Sequence, residues 1–196
     1  PPDKAAHNLR VNLTHLQRVL QPGRDPNLLP WFVQADGDWL ELTGPGVSVD
    51  ADRFDELHNE ARRYDGRGYS RDALGAYTAA LALVRGEYLE DVNDGGWADV
   101  ERLRIRALVT AARCRAGELL LARGEPEEAA RLASEVLADE PLQERAGRLF
   151  VHTLTAQGDR ATARRALANL LAQLDEHGMA AEPDTTQLAR QHGLAE

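Results

Sequence analysis

One cysteine, Cys114, and one lysine, Lys4, stand in a chain of 196 residues. A lone cysteine can close no internal disulfide and build no cysteine-based zinc cage. Set in the helical-looking stretch TAARCRAGELL, it reads as a small core filler rather than a nucleophile. No apolar run approaches the roughly 18 residues that span a bilayer. The N-terminal stretch PPDKAAHNLRVNLTHLQ lacks the apolar centre of a secretory signal, so the sequence points to a cytoplasmic protein without membrane contact. Catalytic signatures are missing as well: there is no G-x-S-x-G elbow, no P-loop, and no G-x-G-x-x-G after a strand. The six histidines include no H-x-x-x-H pair. These absences argue against an enzyme, a cofactor and a metal site. Positive charge is also short, with 23 basic residues against 32 acidic ones and a net charge of −9. A protein gripping nucleic acid over most of its surface needs the opposite sign, so any DNA contact has to be local. Scarce lysine and isoleucine beside abundant arginine and alanine suggest a GC-rich genome.

What is present falls into two patterns, divided by the breaker-rich run Thr43-Gly44-Pro45-Gly46-Val47-Ser48. In residues 1–44, Leu9, Leu13, Leu16 and Leu20 recur at spacings of four, three and four, the apolar stripe of one helix. Its other faces carry His7, Asn8, Arg10, Asn12, Thr14, His15, Gln17 and Arg18, and Pro22-Gly23 ends it. The runs Trp31-Phe32-Val33-Gln34-Ala35 and Asp38-Trp39-Leu40-Glu41-Leu42 flank Asp36-Gly37, a hairpin signal because both turn residues accept positive φ. A helix and a hairpin of about 40 residues bury too little to fold unaided. This region is therefore expected either to dock on the helical part or to have lost its N-terminal half.

From residue 50 onward the sequence reads almost wholly as helix and repeats itself. Gly124-Glu125-Pro126-Glu127-Glu128-Ala129 recurs 34 residues later as Gly158-Asp159-Arg160-Ala161-Thr162-Ala163. Matching apolar positions follow each: Leu132, Ala133, Val136 and Leu137 against Ala166, Leu167, Leu170 and Leu171. A third copy, Gly68-Tyr69-Ser70-Arg71-Asp72-Ala73, lies 56 residues before the Gly124 copy, one period plus a 22-residue insertion. A helix–turn–helix period of this length is the tetratricopeptide signature. Each glycine would end the first helix of a pair, and Ala73, Ala129 and Ala163 would let paired helices approach closely. Three pairs are expected, at 51–84, 98–138 and 142–176, with a capping helix at 183–192. In the insertion, Tyr88, Leu89 and Trp97 are expected to tuck onto the helices, while Asp91, Asp94, Gly95 and Gly96 make turns. A calcium loop is a poor match there, because the acidic spacing ending in glutamate is absent. Tyr64, Tyr69 and Tyr77 read as repeat packing more than as a peptide groove. Arg102, Arg104, Arg106, Arg113 and Arg115 read as a solvated face paired with Glu101 and Glu118.

Three segments carry a family resemblance. Val49-Asp50-Ala51-Asp52-Arg53-Phe54-Asp55-Glu56-Leu57, the run Ala80–Leu89 with its Arg85-Gly86-Glu87-Tyr88-Leu89, and Trp97-Ala98-Asp99-Val100-Glu101-Arg102-Leu103 resemble the bacterial transcriptional activator domain. The likeness is to regulators of the Streptomyces antibiotic regulatory protein type and covers most of residues 47–190. It implies a mostly α fold, a tetratricopeptide-like stack of antiparallel helix pairs in residues 47–196. It also implies that residues 1–44 are the C-terminal half of a winged helix, with Asn8–Leu20 as recognition helix and residues 31–42 as the wing. By that resemblance Asn8, Arg10, Asn12, Thr14, His15 and Arg18 would face DNA. Where the family pattern favours arginine, this chain has His15 and Gln17, and the wing carries Asp36, Asp38 and Glu41 with no basic residue. Residues 1–50 hold Lys4, Arg10, Arg18 and Arg24 against six acids, a net of −2, so weak DNA binding is expected. The resemblance further implies a protein partner (RNA polymerase or another domain of the same regulator) and homodimerisation. A scaffold that never meets DNA, and a stack that senses a small molecule, remain alternatives.

Overall fold

The computed structural model describes residues 2–25, 27–28, 32–37, 39–44, 47–92 and 96–194. They form two compact units, Pro1–Val49 and Asp50–Glu196.

The first unit holds helix α1 (Pro2–Leu20) and a two-stranded antiparallel sheet, β1 (Val33–Asp36) and β2 (Trp39–Leu42). Register runs Val33 to Leu42 and Asp36 to Trp39. Asp36 is thus the last paired residue of β1, part of the ladder rather than of the turn where the sequence pattern placed it, and Gly37 follows it in the turn. Gly37 has φ +57°, the left-handed conformation a tight hairpin turn needs. Asp38, and Trp31 in the first run, lie outside the described residues. The Thr43 amide extends the ladder by donating to the Phe32 carbonyl at 2.8 Å. Val33 is the only buried apolar side chain among the described residues of this unit, and Leu9, Leu16, Trp39 and Leu42 stay exposed.

The second unit is three helix pairs and a cap. The pairs are α2 (Asp50–Asp65) with α3 (Ser70–Leu81), α4 (Asp99–Ala122) with α5 (Pro126–Asp139), and α6 (Glu144–Ala156) with α7 (Arg160–Glu176). Helix α8 (Pro183–Gln191) packs on α6, and each pair contacts the next. Identical hydrogen bonds explain why the pairs repeat. Gly68, Gly124 and Gly158 have φ +76°, +79° and +85°. In each case the following amide reaches back five residues, Tyr69 to the Tyr64 carbonyl, Glu125 to Leu120 and Asp159 to Leu154, all at 3.0 Å. This is the left-handed glycine stop that satisfies the last carbonyls of a helix. One turn later Ala73, Ala129 and Ala163 are fully buried. Two other glycines act by smallness instead: a Cβ on Gly117 would lie 2.5 Å from Leu149 Cδ2, and one on Gly147 would lie 2.6 Å from Leu170 Cδ2. Here α4 meets α6, and α6 meets α7, where a leucine seats against bare backbone.

Buried polar groups are few. His58 is 4% exposed, stacks on Phe54 at 5.8 Å and meets the edge of Tyr77 at 5.8 Å, and its Nδ1 has no hydrogen-bond partner. Burial lowers its pKa below the usual histidine value, and nearby Arg62 adds to this while Asp55 opposes it. The unfolded chain, where histidine titrates near about 6.5, therefore binds the proton more readily than the folded one. His58 contributes stability that is complete above that value and is lost as pH falls through it. Urea midpoints of the wild type are expected to drop between neutral pH and mild acid more steeply than those of His58→Phe. Parallel pH profiles for the two would show that His58 is not the titrating group.

Candidate functional site

On α1, successive residues turn by about 100°, which puts Leu9, Leu13, Leu16 and Leu20 on one side. Asn8, Arg10, Asn12, Thr14, His15 and Arg18 are all exposed and fan over the remaining circumference. Asn8, Asn12 and His15 share one line, with Arg18 at its edge, whereas Arg10 and Thr14 lie further round. The Thr14 hydroxyl donates to the Arg10 carbonyl at 2.9 Å, a bond within the helix. Gln17 does something the sequence did not announce: its Nε2 donates to the Val33 carbonyl at 3.2 Å, tying the helix to β1. Its amide is a strut, at a position where the family pattern favours arginine.

The arginine-rich face of α4 is used internally. Arg115 grips Asp65 of α2 with two bonds of 2.7 Å and reaches Glu118 at 2.8 Å. Arg145 of α6 closes on the same Glu118 at 2.6 and 2.9 Å. The first helices of three successive pairs are thereby laced together. Hydrogen bonds from Arg115 hold the Asp65 carboxyl below its usual range. Burial pushes Glu118 up, but bonds from Arg145 and Arg115 outweigh it and leave it lowered. The ladder continues to the cap: Arg148 reaches Glu182 and the Thr185 hydroxyl at 2.7 Å, and buried Glu144 accepts the Glu182 amide at 2.8 Å. Arg104 pairs with Glu101 and with Asp55 of α2. Pairing with Glu101 and Glu118 is as the sequence suggested. The cross-helix partners Asp65 and Asp55 were invisible there, because nothing local links positions about fifty residues apart.

Arg102 departs from the solvated-face expectation. Its side chain is 19% exposed, and it donates to the carbonyls of Tyr88 at 3.0 Å, Leu89 at 2.6 Å and Val92 at 2.6 Å, besides pairing with Asp99 at 3.0 Å. One guanidinium thus fixes the insertion, in which Leu89 adopts φ +52°. Tyr88 and Leu89 are half-buried as expected, but Trp97 is 63% exposed, and Ala98 is the buried residue at this junction. The expected turn residues Asp94 and Gly95 lie outside the described residues. Of the three tyrosines, Tyr77 is buried core, Tyr64 packs beside it with its hydroxyl on Glu60, and Tyr69 is exposed.

Two adjoining cavities, of about 1110 and 450 Å³, run along α4 and share Arg106, Thr110 and Glu140. The larger is walled by residues 83–92 and the start of α2. The smaller is lined by Leu103, Ala107, Cys114 and the α5–α6 turn. Burial pushes the Cys114 thiol up to about 11, so it is protonated and unreactive at neutral pH. Among the described residues, no group of three or more His, Cys, Asp or Glu side chains is placed to hold a metal ion. No described helix is long and apolar enough to cross a membrane.

A search among curated proteins finds no significant relative. Among solved structures, Mycobacterium tuberculosis EmbR in complex with a low affinity phosphopeptide is similar, with a TM-score of 0.81 at 19% identity over 98% of this chain. At that identity the likeness is one of fold, and this chain spans 50% of the EmbR chain. The model of the family described as the bacterial transcriptional activator domain matches residues 49–191, more than half of the sequence and all of the helix pairs. On that match the chain belongs to the bacterial transcriptional activator domain family.

Proposed function

We propose that this chain is the regulatory region of a bacterial transcription regulator. In this reading residues 47–196 dock a protein partner through their helix pairs, and residues 1–44 are the recognition helix and wing of a winged helix. The observation that carries the reading is the charge economy of the helical unit. Arg104, Arg113, Arg115, Arg145 and Arg148 are spent on holding neighbouring elements together, which leaves a stack whose open troughs suit docking and whose net negative charge repels nucleic acid. DNA contact then falls to α1. Asn8, Asn12 and His15 form one exposed polar line flanking the leucine stripe, with Arg18 opposite that stripe and Arg10 on its other flank. Side chains of this kind read base edges and phosphates.

A second reading, a scaffold that does not meet DNA, is favoured by the acid excess of residues 1–50 and by a hairpin without a basic residue. Gel shifts of the regulator on its own promoter region separate the two. Arg10→Ala with Arg18→Ala is expected to weaken binding at least tenfold at moderate salt, since each lost phosphate contact also lowers the salt slope by about one. Equal shifts for both proteins would remove α1 from the DNA interface.

A further inference from the structure

The helical unit has no assigned partner, and its two adjoining cavities carry an uneven charge. Four arginines line them, and each is already closed by a carboxylate. Arg85 pairs with Asp50 at 2.8 Å, Arg106 with Glu87, Arg113 with Glu135 at 3.2 Å, and Arg145 with Glu118 at 2.6 Å. What remains is acid. Glu90 and Asp91 are exposed on the cavity wall and have no cationic partner among the described residues. Among the described residues the Glu140 carboxylate is held only by the Thr110 hydroxyl at 2.9 Å, and Asp139 is a distant second partner of Arg113 at 3.8 Å, 71% exposed. Between these carboxylates lie apolar surfaces: Val84 and Ile105 in the larger cavity, and the 63%-exposed Leu103 with Ala107 in the smaller.

We infer that this trough along α4 is the docking site for a basic segment of another protein. Arginine or lysine side chains of that segment meet Glu90, Asp91, Asp139 and Glu140, and an aliphatic side chain rests on Leu103 or Ile105. The inference rests on reading the helical unit as a protein-docking module and adds the chemistry of the partner. A larger cavity of about 1110 Å³ accommodates several side chains rather than a single ion. The leftover carboxylates repel phosphates, so nucleic acid is a poor occupant. The alternating run Arg102-Leu103-Arg104-Ile105-Arg106 of this chain is not that segment, because it is part of α4 itself and its three arginines are already paired.

Fluorescence anisotropy with the full chain and two labelled short peptides tests this. One peptide alternates arginine with leucine, the other glutamate with leucine. The basic peptide is expected to bind saturably and the acidic one not to bind, with affinity falling as salt rises from about 50 to about 300 mM. Glu90→Arg with Asp91→Arg should weaken the basic peptide at least tenfold. Asp175→Arg with Glu176→Arg, which changes net charge equally at the exposed end of α7, should leave it unchanged. Equal weakening by both pairs, or none by the first, would reduce the binding to general charge attraction and overturn the inference. Binding of the acidic peptide in place of the basic one would overturn it while leaving the docking reading intact. No binding of either peptide would overturn it too, and the promoter-shift result does not depend on that outcome.

Discussion

Leu167→Ala is expected to lower the unfolding free energy by about 2–5 kcal/mol, the range for removing a fully enclosed leucine. Leu167 is completely buried on α7, in a cluster with Val151, Ala163, Leu170, Leu174 and Leu188 drawn from α6, α7 and α8. Ala163 in the same cluster is fully buried, and Leu170 beside it already seats against the bare backbone of Gly147, so the walls have little room to collapse into the space. The cost comprises lost transfer energy and a persistent cavity. In a stack where each pair touches only its neighbours, the damage stays near its origin. The last pair and the cap should melt ahead of α2 to α5, broadening a cooperative urea transition into two steps. Leu103→Ala, on an exposed side chain, should move the midpoint by no more than about 0.5 kcal/mol. If the two variants shifted it equally, the cluster around Leu167 would not be a closed core.

The sequence made the helix pairs legible and left their lateral connections unreadable. Gly68, Gly124 and Gly158 stood out because a left-handed helix stop tolerates little else, and the buried alanines followed at a fixed offset. Such signals are local, and periodicity exposes them. Arg115 on Asp65 and Arg145 on Glu118 join positions far apart in the chain, and an arginine looks the same in a string of letters whether it is solvated or clamped. Arg102 was misjudged for this reason: its partners are backbone carbonyls of Tyr88, Leu89 and Val92, which carry no side-chain signature. Trp97 was misjudged for another, since a large aromatic beside a helix start suggests burial, yet small Ala98 fills that space. Asn8, Arg10, Asn12, Thr14, His15 and Arg18 of α1 were legible as exposed, while the use of Gln17 as a strut to Val33 depends on a hairpin position no spacing specifies. The trough could not be read at all, because its walls come from α2, the insertion, α4 and the α5–α6 turn.

Arg102→Ala is expected to release the insertion, and the effect should be large and confined. Three carbonyls and the Asp99 carboxylate share the Arg102 guanidinium, and a charge-assisted hydrogen bond of this kind contributes about 1.5–3 kcal/mol. The segment it holds is under strain, since Leu89 sits at φ +52°, where a non-glycine residue costs about 1–2 kcal/mol. With the guanidinium gone, the carbonyls turn to water and Leu89 relaxes, so opening becomes easier by several kcal/mol. The Val92 amide, now donating to Leu89 at 2.9 Å, should exchange with deuterium at least about 100-fold faster, the equivalent of about 2.7 kcal/mol. Amides in α5, α6 and α7 should be unaffected. Arg102→Lys, a point charge without the planar fork, satisfies fewer carbonyls and should fall between. Accelerated exchange along the whole chain would instead mean that Arg102 supports the stack. Since residues 88–92 wall the trough, Arg102→Ala should also weaken the arginine–leucine peptide although Arg102 does not line the cavity. Retained affinity beside a freed loop would place the peptide on α4 and the α5–α6 turn alone.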